Sequence, residues 1–235
     1  MRGISWAALL AWLLLSGCLF YDHRWVQEHQ EKKRATERLK PAKLERSGRA
    51  HSEGRTSYVR AYATHAYAAE TLNWQARFDE LLRNANDVLE PAFGLRLENG
   101  GTTLWQPATP EDRLGELLEE LTRQDLGTDV SWVVGFVKST PQLVFDHHQL
   151  GMARVLSKHL VMRASNDPRE LELLSREYYG LSDAEKAKLH TDRKRHRFVT
   201  TFLHELGHTL GAEHRLDGRS LMNPEIGRAS CRERV

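Results

Sequence analysis

The sequence predicts an α/β fold whose sheet is mostly parallel. Two observations lead to this prediction. Between residues 58 and 163, segments typical of strands alternate with segments typical of helices, an order that favours helices packed on a parallel sheet. In addition, Val130–Val137 is apolar at nearly every position, which is typical of a central strand buried on both faces.

The first elements follow from their periodicity. Tyr58–Thr64 alternates in polarity and predicts a strand. Apolar residues then recur at helical spacing and predict a long helix that ends before Pro91. These residues are Leu72, Phe78, Leu81, Leu82, Val88 and Leu89. Phe93–Leu97 predicts a second strand.

The alternation continues beyond residue 100. Pro110–Gln124 predicts a second helix with proline at its start. Its apolar face is formed by Leu114, Leu117, Leu118 and Leu121. Met152–Leu156 and His159–Arg163 predict two further strands. Three tryptophans are expected in the core: Trp74, Trp105 and Trp132.

The segment before the last predicted helix is polar. Asn166–Arg197 predicts helix only in parts. Within it, Ser182 and Glu185 have the spacing of a capping box, which predicts a helix start at Asp183–Leu189. The basic run Arg193–Arg197 is interpreted as a solvated approach to the next helix rather than as a nucleic-acid patch, because the surrounding domain is acidic.

Composition limits the classes of protein that the chain can be. It has 235 residues, 40% of them hydrophobic and 28% charged, which is typical of a globular protein and excludes a multi-span membrane protein. Residues 58–225 carry 20 basic and 25 acidic residues, a net charge of −5, so we expect no nucleic-acid partner. Two cysteines, Cys18 and Cys231, cannot form a thiolate zinc site.

The amino-terminal residues predict export and anchoring. Arg2 precedes the apolar run Ile4–Leu15, which is too short to span a bilayer and is typical of a signal peptide. Leu15-Ser16-Gly17-Cys18 resembles a bacterial lipobox, which implies cleavage before Cys18 and its lipidation. With Leu19 in the next position, the resemblance implies an outer-membrane anchor in a Gram-negative cell, facing outside the cytoplasm. Residues 1–18 are thus predicted as a signal peptide and residues 19–57 as a charged tether.

The carboxyl-terminal residues are expected to be non-native. Ile226–Val235 has the sequence IGRASCRERV, which resembles the translation of a common sequencing adapter in one frame. Such segments are excluded from fold reasoning. We therefore assign residues 58–225 to the functional domain, and we expect that domain to be truncated at its carboxyl end.

The strongest motif lies on a predicted helix, Phe198–Leu210. His204 and His208 are four residues apart, so both imidazoles lie on one face of the helix and can reach a single ion. Glu205 lies beside the first histidine and projects toward the same site without being required as a ligand. This pattern predicts a metal site with an adjacent carboxylate.

A third histidine completes the predicted site. Gly211 ends the helix, because glycine adopts a left-handed turn readily, and the turn brings His214 toward the same ion. Three neutral imidazoles leave the fourth tetrahedral position open for water. We therefore predict one catalytic Zn²⁺ bound by His204, His208 and His214.

Two motifs together resemble a known family. The string from His204 to His214 matches HExxHxxGxxH, and Ser220–Pro224 (SLMNP) follows it closely. These motifs resemble the zinc site and the Met-turn of the metzincin metalloproteases, loosely those of matrixin type. Met222 would then lie beneath the zinc ligands. Asn223 and Arg215 match no main subfamily, so the subfamily is left unassigned.

The resemblance implies both a fold and a reaction. It implies a twisted five-stranded sheet with two long helices, the second of which carries the zinc motif, and a C-terminal subdomain. It also implies that an edge strand, here Gly151–Leu156, pairs with an extended protein or peptide substrate. Glu205 would take a proton from the zinc-bound water and deliver it to the leaving amine.

Alternatives to this interpretation remain open. The leading hypothesis is a lipid-anchored zinc metalloendopeptidase, expected to be a monomer. A second hypothesis is a catalytically silent lipoprotein that binds a partner through its cleft, and a third makes the zinc purely structural. The cluster Asp146, His147 and His148 could bind a second metal or contact substrate, although a solvated loop is the simpler interpretation.

Overall fold

The computed structural model describes residues 30, 54–139, 150–164, 178, 180–217 and 220–224. The chain divides into two compact units. The first consists of Met1–Ala42 and Pro168–Arg193, and the second of Lys43–Asp167 and Lys194–Val235. No helix among the described residues is long and apolar enough to cross a membrane.

The described part of the chain contains five strands and four helices. In chain order they are β1 (Arg55–Thr64), α1 (His65–Glu70), α2 (Trp74–Phe93), β2 (Leu95–Trp105), α3 (Leu114–Gln124), β3 (Trp132–Val137), β4 (Gly151–Ala153), β5 (His159–Arg163) and α4 (Asp183–Thr209). The strands form one sheet in the order β2-β1-β3-β5-β4. All neighbouring pairs are parallel except β4 and β5. The predicted α/β fold with a mostly parallel sheet is confirmed.

Each face of the sheet in the second unit is covered by helices. On one face, α2 and the carboxyl-terminal part of α4 enclose the larger apolar core, which includes Phe78, Phe136 and Phe202. On the other face, α3 covers a smaller core with Leu117 and Leu121 at its centre. Every residue of β3 is buried, as the apolar run predicted. The three tryptophans are also buried.

Several predicted boundaries require correction. Helix α2 does not end before Pro91 but continues to Phe93. Pro91 lies inside the helix, and Gly94, with a left-handed φ of 63°, closes the helix by donating its N–H to the carbonyls of Glu90 and Leu89. Consequently Phe93 belongs to the helix, and β2 begins at Leu95.

Several elements are longer or shorter than predicted. Strand β1 begins at Arg55 rather than at Tyr58, α3 begins at Leu114 rather than at Pro110, and β3 begins at Trp132 rather than at Val130. Strand β2 extends to Trp105 through a Gly100-Gly101 segment, where its pairing with β1 shifts in register. Strand β4 is only three residues long and ends at Ala153 rather than at Leu156.

Helix α4 is one continuous helix of 27 residues rather than separate helical parts. Its first residues belong to the first unit, where Tyr178, Leu181 and Leu189 form a small apolar cluster. The predicted capping box is confirmed. The Ser182 N–H donates to the Glu185 carboxylate over 3.0 Å, and the Glu185 N–H donates to the Ser182 hydroxyl over 3.4 Å.

Candidate metal centre

The end of α4 that belongs to the second unit positions the first two histidines. Phe202, Leu203 and Leu206 are buried in the larger core, which fixes the helix against the sheet. A second contact ties the same end to β3, because Trp132 donates its indole N–H to the Thr209 hydroxyl over 2.8 Å. The face that carries His204 and His208 is therefore held by a rigid helix.

The chain turns sharply after the helix, as predicted. Gly211 has a left-handed φ of 90°. Its N–H donates to the His208 carbonyl over 2.9 Å, and the Ala212 N–H donates to the Gly207 carbonyl over 2.9 Å. These bonds close the helix end and direct the following residues back toward the histidines, so that His214 reaches them.

The three imidazoles converge on one point. The Nε2 atoms of His204 and His208 are 3.2 Å apart, those of His204 and His214 are 3.3 Å apart, and those of His208 and His214 are 3.1 Å apart. Three nitrogens bound tetrahedrally to zinc at about 2.0–2.1 Å would be separated by about 3.3 Å. The spacing of the three atoms therefore fits a zinc ion.

The outer nitrogens of two histidines show which nitrogen carries the proton. His204 donates its Nδ1–H to the Leu221 carbonyl over 2.8 Å, and His208 donates its Nδ1–H to the Ala212 carbonyl over 2.8 Å. A carbonyl oxygen only accepts, so Nδ1 must be protonated and Nε2 of each neutral ring presents a lone pair. Two converging lone pairs repel one another unless a cation lies between them, which is the arrangement that zinc ligands need.

Burial also keeps the first ligand neutral. His204 is only 6% exposed. Burial lowers the pKa of its imidazole, and the neighbouring His208 and His214 lower it further, while the bond to Leu221 opposes the shift. A neutral imidazole is the form that binds a metal ion.

The predicted carboxylate lies beside the histidines in a tight space. Glu205 is 6% exposed and contacts the edge strand β4. A Cβ atom at Gly151 would lie 2.7 Å from both Cγ and Oε1 of Glu205, so only glycine leaves room for this carboxylate. Burial raises the pKa of Glu205 to about 8, although a backbone hydrogen bond from Ala153 opposes the shift.

The residue of the predicted Met-turn packs against the helix that carries the first two histidines. Met222 is buried, and its sulfur packs against Gly207 of the metal-bearing helix, where an added Cβ would lie 2.7 Å from Sδ. The Arg215 N–H donates to the Met222 carbonyl over 2.9 Å. Because the neighbouring Leu221 accepts from His204, this turn also supports the first ligand.

Sequence reasoning missed the two glycines that make these contacts possible. Gly151 is the first residue of a short strand with no motif around it, and Gly207 occupies a variable position of the zinc motif. Their role depends on which side chain faces them in the fold. A glycine inside a predicted helix, where alanine would be more stable, is a weak signal that could have marked Gly207.

Other predicted sites differ in their outcome. Among the described residues, His204, His208 and His214 form the cluster that could hold a metal ion. Asp146, His147, His148, Cys18 and Ile226–Val235 lie outside the described residues, so those predictions stay untested. The basic run Arg193–Arg197 lies within α4, where Arg195 pairs with Glu80 over 2.9 Å.

Comparison with known proteins finds similar solved structures at low identity. Archaemetzincin from Methanopyrus kandleri is 18% identical, and the match covers 77% of this chain and 89% of that one with a TM-score of 0.45. Archaemetzincin from Archaeoglobus fulgidus, complexed with malonate, is 15% identical over 71% of this chain and 85% of that one, with a TM-score of 0.40.

A chaperone–substrate complex is 14% identical over 69% of this chain and 24% of that one, with a TM-score of 0.43. No family model matches the chain, and no curated protein matches it either. At these TM-scores, the site must be interpreted from its own geometry.

Proposed function

We propose that this chain is a zinc-dependent metalloendopeptidase that hydrolyses peptide bonds in proteins or peptides. One observation carries the proposal. Three Nε2 atoms lie 3.1–3.3 Å from one another, and the buried carboxylate of Glu205 follows the first ligand in the same helix. Three ligands and an adjacent carboxylate are typical of catalytic zinc sites, whereas structural sites are closed by a fourth protein ligand.

The residues divide the chemistry among them. Zinc bound by the three histidines would lower the pKa of a bound water and polarise the carbonyl of the substrate. Glu205 takes the proton from the attacking water and delivers it to the leaving amine. Without the metal, burial raises the pKa of Glu205 to about 8; a zinc ion beside it would favour the ionised carboxylate, which is the form that accepts the proton.

Strand β4 supports a peptide as the substrate. It pairs with β5 along one edge, and among the described residues no strand pairs with its other edge. An extended peptide can add to such an edge through main-chain hydrogen bonds. Glu205 contacts this strand at Gly151, so the edge and the general base are adjacent.

Replacement of Glu205 by glutamine tests the proposal directly. Glu205→Gln should keep one zinc per chain and lower kcat by about 100-fold or more, because general-base catalysis contributes about 10²–10⁴-fold. Glu213→Gln, an exposed glutamate of the same motif, is the matched control and should keep full activity. The zinc content of each variant and its cleavage of a denatured-protein pool are measured.

The outcomes of that experiment separate the hypotheses. Zinc binding without cleavage of any protein or peptide pool by the unsubstituted chain would favour the silent, partner-binding lipoprotein. Cleavage that persists in Glu205→Gln would remove Glu205 from the mechanism. A folded chain without zinc would overturn the metal site itself.

We also propose that lipidation of Cys18 anchors the enzyme in the cell envelope, to the outer membrane in a Gram-negative cell, facing outside the cytoplasm. The lipobox-like sequence Leu15–Cys18 supports this, since several acyl chains on one residue anchor a protein stably. In bacterial cells, Cys18→Ser should abolish incorporation of labelled palmitate and release the chain from the membrane fraction. Cys231→Ser is the control and should change neither result; labelling that persists in Cys18→Ser would refute the anchor.

A further inference from the structure

The loop between β4 and β5 contains a residue in an unfavourable conformation. Leu156 has a φ of 55°, a left-handed conformation that crowds the Cβ of any residue with a side chain. Its side chain is 78% exposed, so burial in a core does not compensate. A conformation of this kind persists only where neighbouring contacts hold it, and such residues are concentrated at functional sites.

Two contacts hold Leu156 against the metal centre. Its N–H donates to the carbonyl of the ligand His208 over 3.2 Å. Its side chain covers Gly211, because a Cβ added at residue 211 would lie 2.8 Å from Leu156 Cδ2. Leu156 therefore touches the helix end and the turn through which the chain reaches His214.

The rest of the loop is fixed independently of that turn. Lys158 donates from Nζ to the carbonyls of Gly127 and Val130 over 2.9 and 3.3 Å. Arg154 forms an ion pair with Glu119 of α3. Both ends of the loop are thus attached to elements that carry no metal ligand. The position of Leu156 against the turn is therefore fixed from outside the metal centre.

The third ligand is the one that needs such support. His204 and His208 are fixed by a helix and by Nδ1 hydrogen bonds. His214 is exposed and lies in irregular chain beyond Gly211. We propose that Leu156 is a positioning residue for His214: by packing on the Gly211 turn, it holds the third imidazole at the distance that zinc binding requires. The inference rests on the proposed function, because it takes zinc as the metal ion that the three histidines bind.

Substitution of Leu156 tests this with a readout other than activity. Leu156→Gly accepts the left-handed φ and keeps the N–H, so it removes the side chain alone. In the full chain, it should weaken zinc affinity about tenfold, since groups that orient metal ligands contribute about 10–100-fold, without lowering the urea midpoint of the metal-free chain. Leu156→Met should keep the zinc affinity within about twofold of that of the unsubstituted chain. Leu72→Gly, which removes an exposed leucine from another turn, should have no effect.

A double-mutant cycle identifies the ligand through which Leu156 acts. In a His214→Ala background, Leu156→Gly should weaken zinc binding no further, because the group that it positions is gone. Equal losses in both backgrounds would refute the inference, and so would unchanged zinc affinity in Leu156→Gly. Absence of zinc from the unsubstituted chain would instead overturn the proposed function, so the two failures are distinguishable by chelator competition.

Discussion

Two polar clusters of the second unit differ in whether residues of the chain supply the hydrogen-bond partners that each cluster needs. On the α3 side of the sheet, Asp125 accepts from Arg60 over 2.9 Å, from Tyr62 over 3.0 Å and from the Gly127 N–H over 2.8 Å. Every charge there faces an opposite charge or a donor. In the metal centre, by contrast, acceptor nitrogens face one another. The first cluster is satisfied within the chain, whereas the second presents the lone pairs of His204 and His208 toward the point at which a cation could bind.

This difference teaches how a functional cluster can be separated from a structural one. Both clusters contain partly buried titratable groups, and both bring together residues distant in sequence. Burial alone therefore does not distinguish them. The direction of the hydrogen bonds does, because the Nδ1 atoms of His204 and His208 donate outward and leave the centre without a donor from either ring.

The largest expected effect is the response of stability to zinc. At about 1,000 times Kd, zinc should raise the free energy of unfolding by about 4 kcal/mol, because a ligand that binds the folded state stabilises it by mass action. His204→Ala should lose most of this increment at the same zinc concentration. Asp125→Asn should keep it. Urea unfolding with and without zinc measures the increment.

The same experiment can contradict the distinction between the two clusters. An increment that survives in His204→Ala would mean that zinc acts elsewhere. An increment lost in Asp125→Asn would mean that the α3-side cluster is coupled to the metal centre rather than independent of it.

Acid should affect both clusters. Burial opposes ionisation of Asp125, but the bonds from Gly127, Arg60 and Tyr62 outweigh it and hold the pKa of this carboxyl below its ordinary value. A group whose pKa is lower in the folded state stabilises the fold above its ordinary pKa, here about 4, and loses that stabilisation as the pH falls. Zinc binding should also weaken in acid, because a metal ion binds only the neutral imidazole.

Substitution of Asp125 isolates its part of the acid response. Asp125→Asn should cost about 1.5–3 kcal/mol at pH 7, as expected for hydrogen bonds to a charged group. The difference from the unsubstituted chain should shrink below about pH 4. Urea unfolding of the metal-free chain at several pH values measures this difference, and a difference that grows in acid would contradict the assignment.

Much of the fold and the site was predictable because local patterns determined it. Strand β5 was predicted at its observed bounds, and the ligand helix followed from the spacing of His204 and His208. Strand β2 was predicted too short, since the residues that follow Leu97, from Glu98 to Thr103, are polar or glycine and none of them is buried. The partners of Gly151 and Leu156 were not predictable, because they depend on which surfaces the fold brings together.

The smallest expected effect concerns a glycine beneath the ligands. Replacing glycine by alanine inside a helix ordinarily stabilises it by about 1 kcal/mol. At Gly115, in the first turn of α3, the change should keep this sign but be smaller, because the added Cβ would lie 3.5 Å from the Met152 sulfur, an ordinary contact. At Gly207 the added Cβ would lie 2.7 Å from the Met222 sulfur, so Gly207→Ala should instead destabilise the chain by about 1 kcal/mol.

The sign of that change is the decisive measurement, because the Cβ added at Gly207 would lie closer to a methionine sulfur than the Cβ added at Gly115. In a Met222→Ala background the obstruction is gone, and Gly207→Ala should become stabilising, like Gly115→Ala. Since Leu221, next to Met222, accepts from His204, displacement of Met222 should also weaken zinc binding, whereas Gly115→Ala should leave it unchanged. Stabilisation by Gly207→Ala alone would show that Met222 moves aside freely and does not support the ligand.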